Sequence, residues 1–262
     1  MRSGRIGRIT LGLAAVALAM IVIQTSLPPE VTSSSFPRLE KNPTRMQAPD
    51  FSLYTDVQAK KAAFFGFLRP LVAEENQKIL AQRQWLNSVL ERVQAGKTLD
   101  STEEQRLTEL AEDYRYELRH LDEESLKALL ERVDEVPEDM VLIQAANESG
   151  WGTSRFAVEG NNYFGQWCFS KGCGLVPNSR DSGLSHEVAK FADPRASVAA
   201  YLLNINTNGA YDDLRDVRRG LRKAGQPVTA EDLIPTLIRY SERREAYVAE
   251  LLQMLGDNHI YL

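Results

Sequence analysis

The strongest constraint on the fold is a helical rhythm of apolar residues that opens the ordered part of the chain. From Asp56 to about Ala95, residues Phe64, Phe67, Leu68, Leu71, Val72, Ile79, Leu86, Val89, Leu90 and Val93 recur at spacings near three and four. That period puts them on one face of a helix. Pro70 predicts a kink or boundary within the run, and Gly96 ends it. A second helix is expected from Ser101-Thr102, with Glu103 and Glu104 in its first turn and a stripe of Leu107, Leu110, Tyr114, Leu118 and Leu121. Asp122 then caps a third, which carries Leu126, Leu129, Leu130 and Val133. Pro137 occupies a first-turn position, followed by Glu138 and Asp139. That helix runs through Val141, Leu142, Ile143 and Ala145 to Glu148-Ser149, with Gly150 placed for a left-handed cap.

Between residues 160 and 192 the rhythm stops. Gly160, Gly165, Gly172, Gly174 and Gly183 appear, and Tyr163-Phe164, Trp167 to Phe169 and Glu187 to Phe191 read as short strands around a cysteine turn. Helices resume at Pro194 and continue to Leu255, interrupted near Asn208-Gly209 and Gly225. The fold class is therefore mainly α, with a small β-hairpin lobe inserted in a helical domain and a helical extension before it. The expected divisions are 1–26, 27–55, 56–121 and 122–262.

The first two divisions are not core. Arg2, Arg5 and Arg8 precede an uncharged run from Ile9 to Ile23, a basic flank and short apolar stretch that reads as an export signal or membrane anchor over residues 6–27. No small-x-small cleavage site follows, which favours an uncleaved anchor. Residues 27–55 hold Pro28, Pro29, Pro37, Pro43 and Pro49 and a Ser33-Ser34-Ser35 run, a linker composition. Together they place the folded part outside the cytoplasmic membrane. Cys168 and Cys173, the chain's two cysteines, flank a short loop that a disulfide would close in an oxidising compartment.

Charge excludes one class of partner. With 31 basic and 36 acidic residues the net charge is −5, and three of the basic residues lie in the N-terminal segment. Nucleic acid, which needs clustered Lys and Arg, is not an expected partner. Gly96-Lys97-Thr98 lacks the first glycine of a phosphate loop, since Glu91 stands there. No Gly-x-Ser-x-Gly elbow occurs. His120, His186 and His259 form no His-x-x-x-His pair and the cysteines no Cys-x-x-Cys, so no zinc site and no cofactor are expected.

The informative carboxylate is Glu148. It ends a helix, facing the negative end of the dipole, with Trp151, Phe156 and Phe164 nearby in sequence to restrict water. Both effects favour the protonated form, which suits a general acid. The words around it are Ala145-Ala146-Asn147-Glu148-Ser149-Gly150-Trp151-Gly152 and Asn161-Asn162-Tyr163-Phe164-Gly165. This pair resembles the glucosaminidase family of peptidoglycan hydrolases, glycoside hydrolase family 73, with Tyr163 where leucine is commoner. The resemblance covers roughly Leu126 to Leu255.

The resemblance implies a lysozyme-like helical domain that cuts β-1,4 bonds after N-acetylglucosamine in peptidoglycan glycan strands. It maps the general acid onto Glu148. It also implies a helper tyrosine in a late helix, here Tyr240, with Tyr247 seven positions later, a wider spacing than the family usually shows. A second carboxylate is expected from the β lobe, where Glu187, Asp181 and Asp193 stand; Glu187 opens the last strand and fits best. The substrate's own acetamido group is the alternative to it. Trp151, Tyr163 and Trp167 are candidates for stacking on sugars, and Asn161 and Asn162 for bonding acetamido groups. Packing and turn capping are the competing roles of Trp151 and the asparagines. An envelope enzyme of this kind would work in the periplasm, held at the inner membrane by its N-terminal segment. A lytic transglycosylase, which uses a similar Glu-Ser acid, and a wall-binding scaffold without catalysis are the other two readings.

Overall fold

The computed structural model describes residues 46–177 and 186–262. The apolar segment at residues 6–27, most of the 27–55 stretch and Asp181 lie outside the described residues. No helix among the described residues is long and apolar enough to cross a membrane.

The first helical run is one unbroken helix, α1 (Val57–Gln94), started by Asp56, whose carboxylate accepts from the Ala59 amide. Pro70 lies inside it rather than at an end. The carbonyl that the proline cannot bond belongs to Gly66, where the surroundings are open: even a Cβ there would meet nothing within 4 Å. The N-terminal half of α1 contributes Phe64, Phe65, Leu68, Leu71 and Val72 to the main core, so it packs with the body of the protein. Phe51, from the 27–55 stretch, is buried in that core as well.

The second helix, α2 (Ser101–Asp113), opens with a complete capping box between Asp100 and Glu103. It stops before Leu118 and Leu121, shorter than its apolar stripe predicts. Arg115 adopts φ 52°, the amides of Tyr114, Arg115 and Tyr116 return to carbonyls of the last helical turn, and the Arg132 guanidinium donates to the carbonyls of Tyr114 and Arg115 just beyond it. Leu121 is left exposed. The Asp122-capped helix is α3 (Glu123–Arg132), and the helix that carries the motif is α4 (Glu138–Ser149). Every residue of α4 from Met140 to Ala146 is buried, so this helix is the central strut of the core.

A short helix, α5 (Arg155–Gly160), follows; the sequence patterns did not predict it. The lobe is a three-stranded antiparallel sheet of β1 (Trp167–Cys168), β2 (Gly174–Leu175) and β3 (Glu187–Ala189), in the order β1-β3-β2. Trp167 faces Val188 and Cys168 faces Glu187 across one ladder, and Leu175 faces Val188 across the other. Tyr163-Phe164, expected as a strand, is coil: its backbone is drawn into the core, Tyr163 N donating to Ser197 Oγ at 3.2 Å. The helices α6 (Pro194–Thr207), α7 (Asp212–Lys223), α8 (Ala230–Leu233) and α9 (Glu245–Asp257) complete the chain, with a 3-10 helix over Ile234–Arg239. The whole is a mainly helical body carrying a small sheet, as the lysozyme-like expectation requires.

Candidate active site

The Glu-Ser-Gly-Trp-Gly word is a helix stop. Ser149 Oγ donates to the Ala145 carbonyl at 2.6 Å and accepts from the Gly152 amide at 2.8 Å. Gly150, Trp151 and Gly152 all have positive φ, at 56°, 59° and 74°. This turn reverses the chain tightly and leaves Glu148 in the last turn of α4, its side chain directed toward α9 and Gly165.

Three elements meet at the Glu148 carboxylate. From α9, the Tyr247 hydroxyl donates to Oε1 at 2.8 Å. From the second motif comes Gly165, with φ 63°; a Cβ placed there would lie 3.6 Å from Oε2. Tyr240 packs face to face on Tyr247, with ring centroids 5.5 Å apart and planes 1° from parallel, and its hydroxyl donates to the Phe164 carbonyl at 3.0 Å. So Tyr240 braces the Phe164-Gly165 segment and the Tyr247 ring, while Tyr247 is the tyrosine that touches Glu148.

Burial is the largest influence on Glu148 and holds its carboxyl above the usual glutamate range. The hydrogen bonds from Tyr247 and Asn147 work in the opposite direction. Glu250 raises it further and Arg243 lowers it; those two are paired with each other at 2.6 Å. Buried and partly buried tyrosines supply much of the dry surface: Tyr201, Tyr211, Tyr240 and Tyr247 all feel the Glu148 charge, and all are pushed up by burial.

The remaining sequence candidates divide. Trp151 packs edge-on against Phe64 and Phe65 of α1, at 5.6 and 5.2 Å, with the Lys61 ammonium 5.2 Å from its ring centre. Tyr163 is buried beside Phe64, and burial pushes its hydroxyl up to about 12. Asn161 ends α5 in a left-handed conformation and donates to the Phe191 carbonyl at 3.1 Å. The Asn162 side chain makes four hydrogen bonds: its Nδ2 donates to the carbonyls of Gln166 and Ala189, and its Oδ1 accepts from the backbone amides of Phe164 and Gln166. That fills its capacity and pins the turn that presents Gly165. Trp167 is 55% exposed at the start of β1, two residues beyond Gly165, with one ring face stacked on His186.

Glu187 sits inside the lobe. Its two oxygens accept from the amides of Gly172 and Gly174, at 3.0 and 2.8 Å, on either side of Cys173. Cys168 and Cys173 are joined by a disulfide. Among the described residues, these cysteines and Glu187 form the one group of metal-ligating atoms lying within 4.8 Å of one another. The disulfide leaves it no thiolate to ligate with. Asp193 caps α6 by accepting from the Ala196 amide.

Two participants escaped the sequence reading. Gln144 is fully buried one turn before Glu148, and Tyr201 lies across from it on α6. A polar residue at i−4 within the apolar α4 run was the available signal for the first. Nothing in the pattern of α6 separates Tyr201 from an ordinary core aromatic.

Comparison with known proteins places the chain in a family. The Glucosaminidase family, described as mannosyl-glycoprotein endo-beta-N-acetylglucosaminidase, matches residues 123–258. That span begins at α3 and ends just past α9, and so takes in Glu148, Gly165, Tyr240 and Tyr247. Among curated proteins, Protein bax of Escherichia coli (strain K12) is 36% identical over 211 residues, covering 80% of this chain and 74% of that protein. No solved structure matches the chain. With the family's match running over more than half the chain and enclosing every group around Glu148, the protein belongs to the glucosaminidase family.

Proposed function

We propose that this protein hydrolyses peptidoglycan as an endo-β-N-acetylglucosaminidase, with Glu148 as its general acid. The observation that carries the reading is the setting of Glu148: a carboxyl that burial pushes toward its protonated form, at a helix end, beside the glycine where the sheet lobe departs. A group in that state can protonate a glycosidic oxygen as its bond to C1 breaks.

The acetamido group of the substrate is our choice for the second catalytic group. Its carbonyl oxygen bonds to C1 as the leaving sugar departs with the Glu148 proton. Water then gives its hydroxyl to C1 as the bond from C1 to the acetamido oxygen breaks, restoring the acetamide, and its proton returns to Glu148. Supporting this choice, both Glu187 oxygens already accept backbone amides within the lobe. Trp167, with its exposed ring, is the candidate sugar platform. In this reading residues 6–27 hold the enzyme at the inner membrane and the linker gives it reach toward the wall from the periplasmic side.

The test is digestion of purified peptidoglycan with the exported part of the chain, followed by mass spectrometry of the borohydride-reduced products. Reduced N-acetylglucosamine ends, lost in the Glu148→Gln variant, are the expected result. Anhydro-muramyl ends would make the enzyme a lytic transglycosylase instead. Release of no muropeptide by the wild-type protein would leave a wall-binding scaffold.

A further inference from the structure

The hydrogen bonds behind Glu148 run in one direction. The Tyr201 hydroxyl donates to Gln144 Oε1. Gln144 Nε2 donates to the Tyr247 hydroxyl oxygen at 2.9 Å. That oxygen carries a single proton, and with Gln144 already donating to it, the proton goes to its other neighbour, Glu148 Oε1, at 2.8 Å. Oε1 is therefore an acceptor whether or not the carboxyl is protonated. A proton held by Glu148 must sit on Oε2, the oxygen beside Gly165.

We propose that Gln144 is a positioning residue: by fixing the direction of the Tyr247 hydroxyl, it keeps the transferable proton of Glu148 on Oε2, facing Gly165 and the root of the lobe. The inference rests on Glu148 being the acid. Its logic is the asymmetry of an amide. With the amide reversed, Gln144 would take the Tyr247 proton, Tyr247 would accept from Glu148, and the acid's proton would point into the protein at Oε1. The observed direction is the one that gives ionised Glu148 a charge-assisted bond, about twice as strong as a neutral one. It therefore suits the carboxylate left after each proton transfer.

Other groups facing Glu148 do not set this direction. Glu250 and Arg243 oppose each other and are themselves paired. Tyr211 approaches from the 3-10 helix over Gly209–Tyr211 and Tyr240 from just beyond the one over Ile234–Arg239, and the Tyr240 hydroxyl is committed to Phe164. Asn147 donates from α4 itself.

Two measurements test the proposal. In the isotope-labelled wild-type chain, the Gln144 side-chain amide protons should show a nuclear Overhauser contact to the Tyr247 ring. A contact to the Tyr201 ring in its place overturns the proposal without any mutation. In Gln144→Met, kcat should fall by about tenfold or more, a fraction of what general acid catalysis contributes, while KM stays within about twofold. The alkaline limb of the pH–rate profile should move to higher pH, because Tyr247 becomes free to accept from the protonated acid. Gln144→Met/Tyr201→Phe removes the hydroxyl orphaned by the single change and should give the same kinetic signature in a better packed protein. An unshifted limb and near wild-type kcat in either folded variant, with Glu148→Gln inactive, overturns the positioning role and leaves the acid in place. Activity retained by Glu148→Gln would instead remove the acid assignment itself.

Discussion

Gly152 carries a cost that its place beside the proposed acid disguises. It has φ 74°, and a Cβ built there would stand 2.4 Å from Phe51 Cδ2 and 2.8 Å from Cε2. The Phe51 ring has little room to retreat, being buried against Phe64 and Phe67 at 5.4 and 6.0 Å. Gly150 provides the control. Its φ is 56°, but a Cβ there meets only Thr153 Oγ1, at 3.7 Å. Alanine at either position costs about 1–2 kcal/mol for the left-handed backbone and regains about 0.4–1 kcal/mol from the stiffer unfolded chain. Gly150→Ala should therefore destabilise by about 1 kcal/mol. Gly152→Ala adds an overpacking penalty of about 1–3 kcal/mol, so it should be the worse of the two by that amount. The assay is urea unfolding of both variants followed by circular dichroism, read as midpoints at a common slope. Phe51→Ala in the Gly152→Ala background should cost less than it does in the wild type, with a coupling in the range of about 0.5–3 kcal/mol. Equal stability of the two glycine variants, or no coupling to Phe51, would refute the argument that the second glycine exists to admit the ring. Hydrolysis per folded molecule should be nearly unchanged in both.

Removing the Glu148 charge should stabilise the protein in a pH-dependent way. The folded carboxyl lies above the unfolded one, so its ionisation opposes folding once the pH exceeds the unfolded value, and fully so above the folded value. Glu148→Gln should therefore melt higher than wild type at pH 8 and equal to it at acid pH; a difference that does not change with pH would count against a raised carboxyl. Glu187→Gln should lose one of two acceptors and face an amide donor with another, costing about 1–3 kcal/mol within the lobe. Faster hydrogen exchange at Gly172 and Gly174, with only a mild fall in turnover, is the expected result. A severe fall in turnover with unchanged exchange would make Glu187 a catalytic base. Reducing the Cys168–Cys173 bond should loosen the lobe rather than the helical body, by an amount at the low end of about 2–4 kcal/mol because the loop is short. Exchange rates rising equally across α4 and α6 would contradict this.

What the sequence by itself determined follows the reach of local chemistry. Asp122 and Gly150 mark helix ends because capping bonds join residues a few positions apart, and the helical stripes of α1, α3 and α4 are readable because each turn repeats the same choice of face. The Glu148 word and the Asn161-to-Gly165 word were visible for the same reason. Tertiary structure decided the rest. Pro70 stays within α1, and the turn where α2 stops is held by Arg132, 17 residues on from Arg115, which donates to the carbonyls just past the helix. Phe51 left its proline-rich surroundings for the core because Gly152 leaves a face open to its ring. Asn162 and Glu187 bond backbone amides and carbonyls that no periodic pattern announces. The long-range partner of Glu148 is Tyr247, 99 positions away, whose hydroxyl accepts from Gln144, itself bonded to Tyr201. A hydrogen bond depends on where two atoms meet after packing, and the pattern of neighbours along a chain records only which face each residue will turn inward.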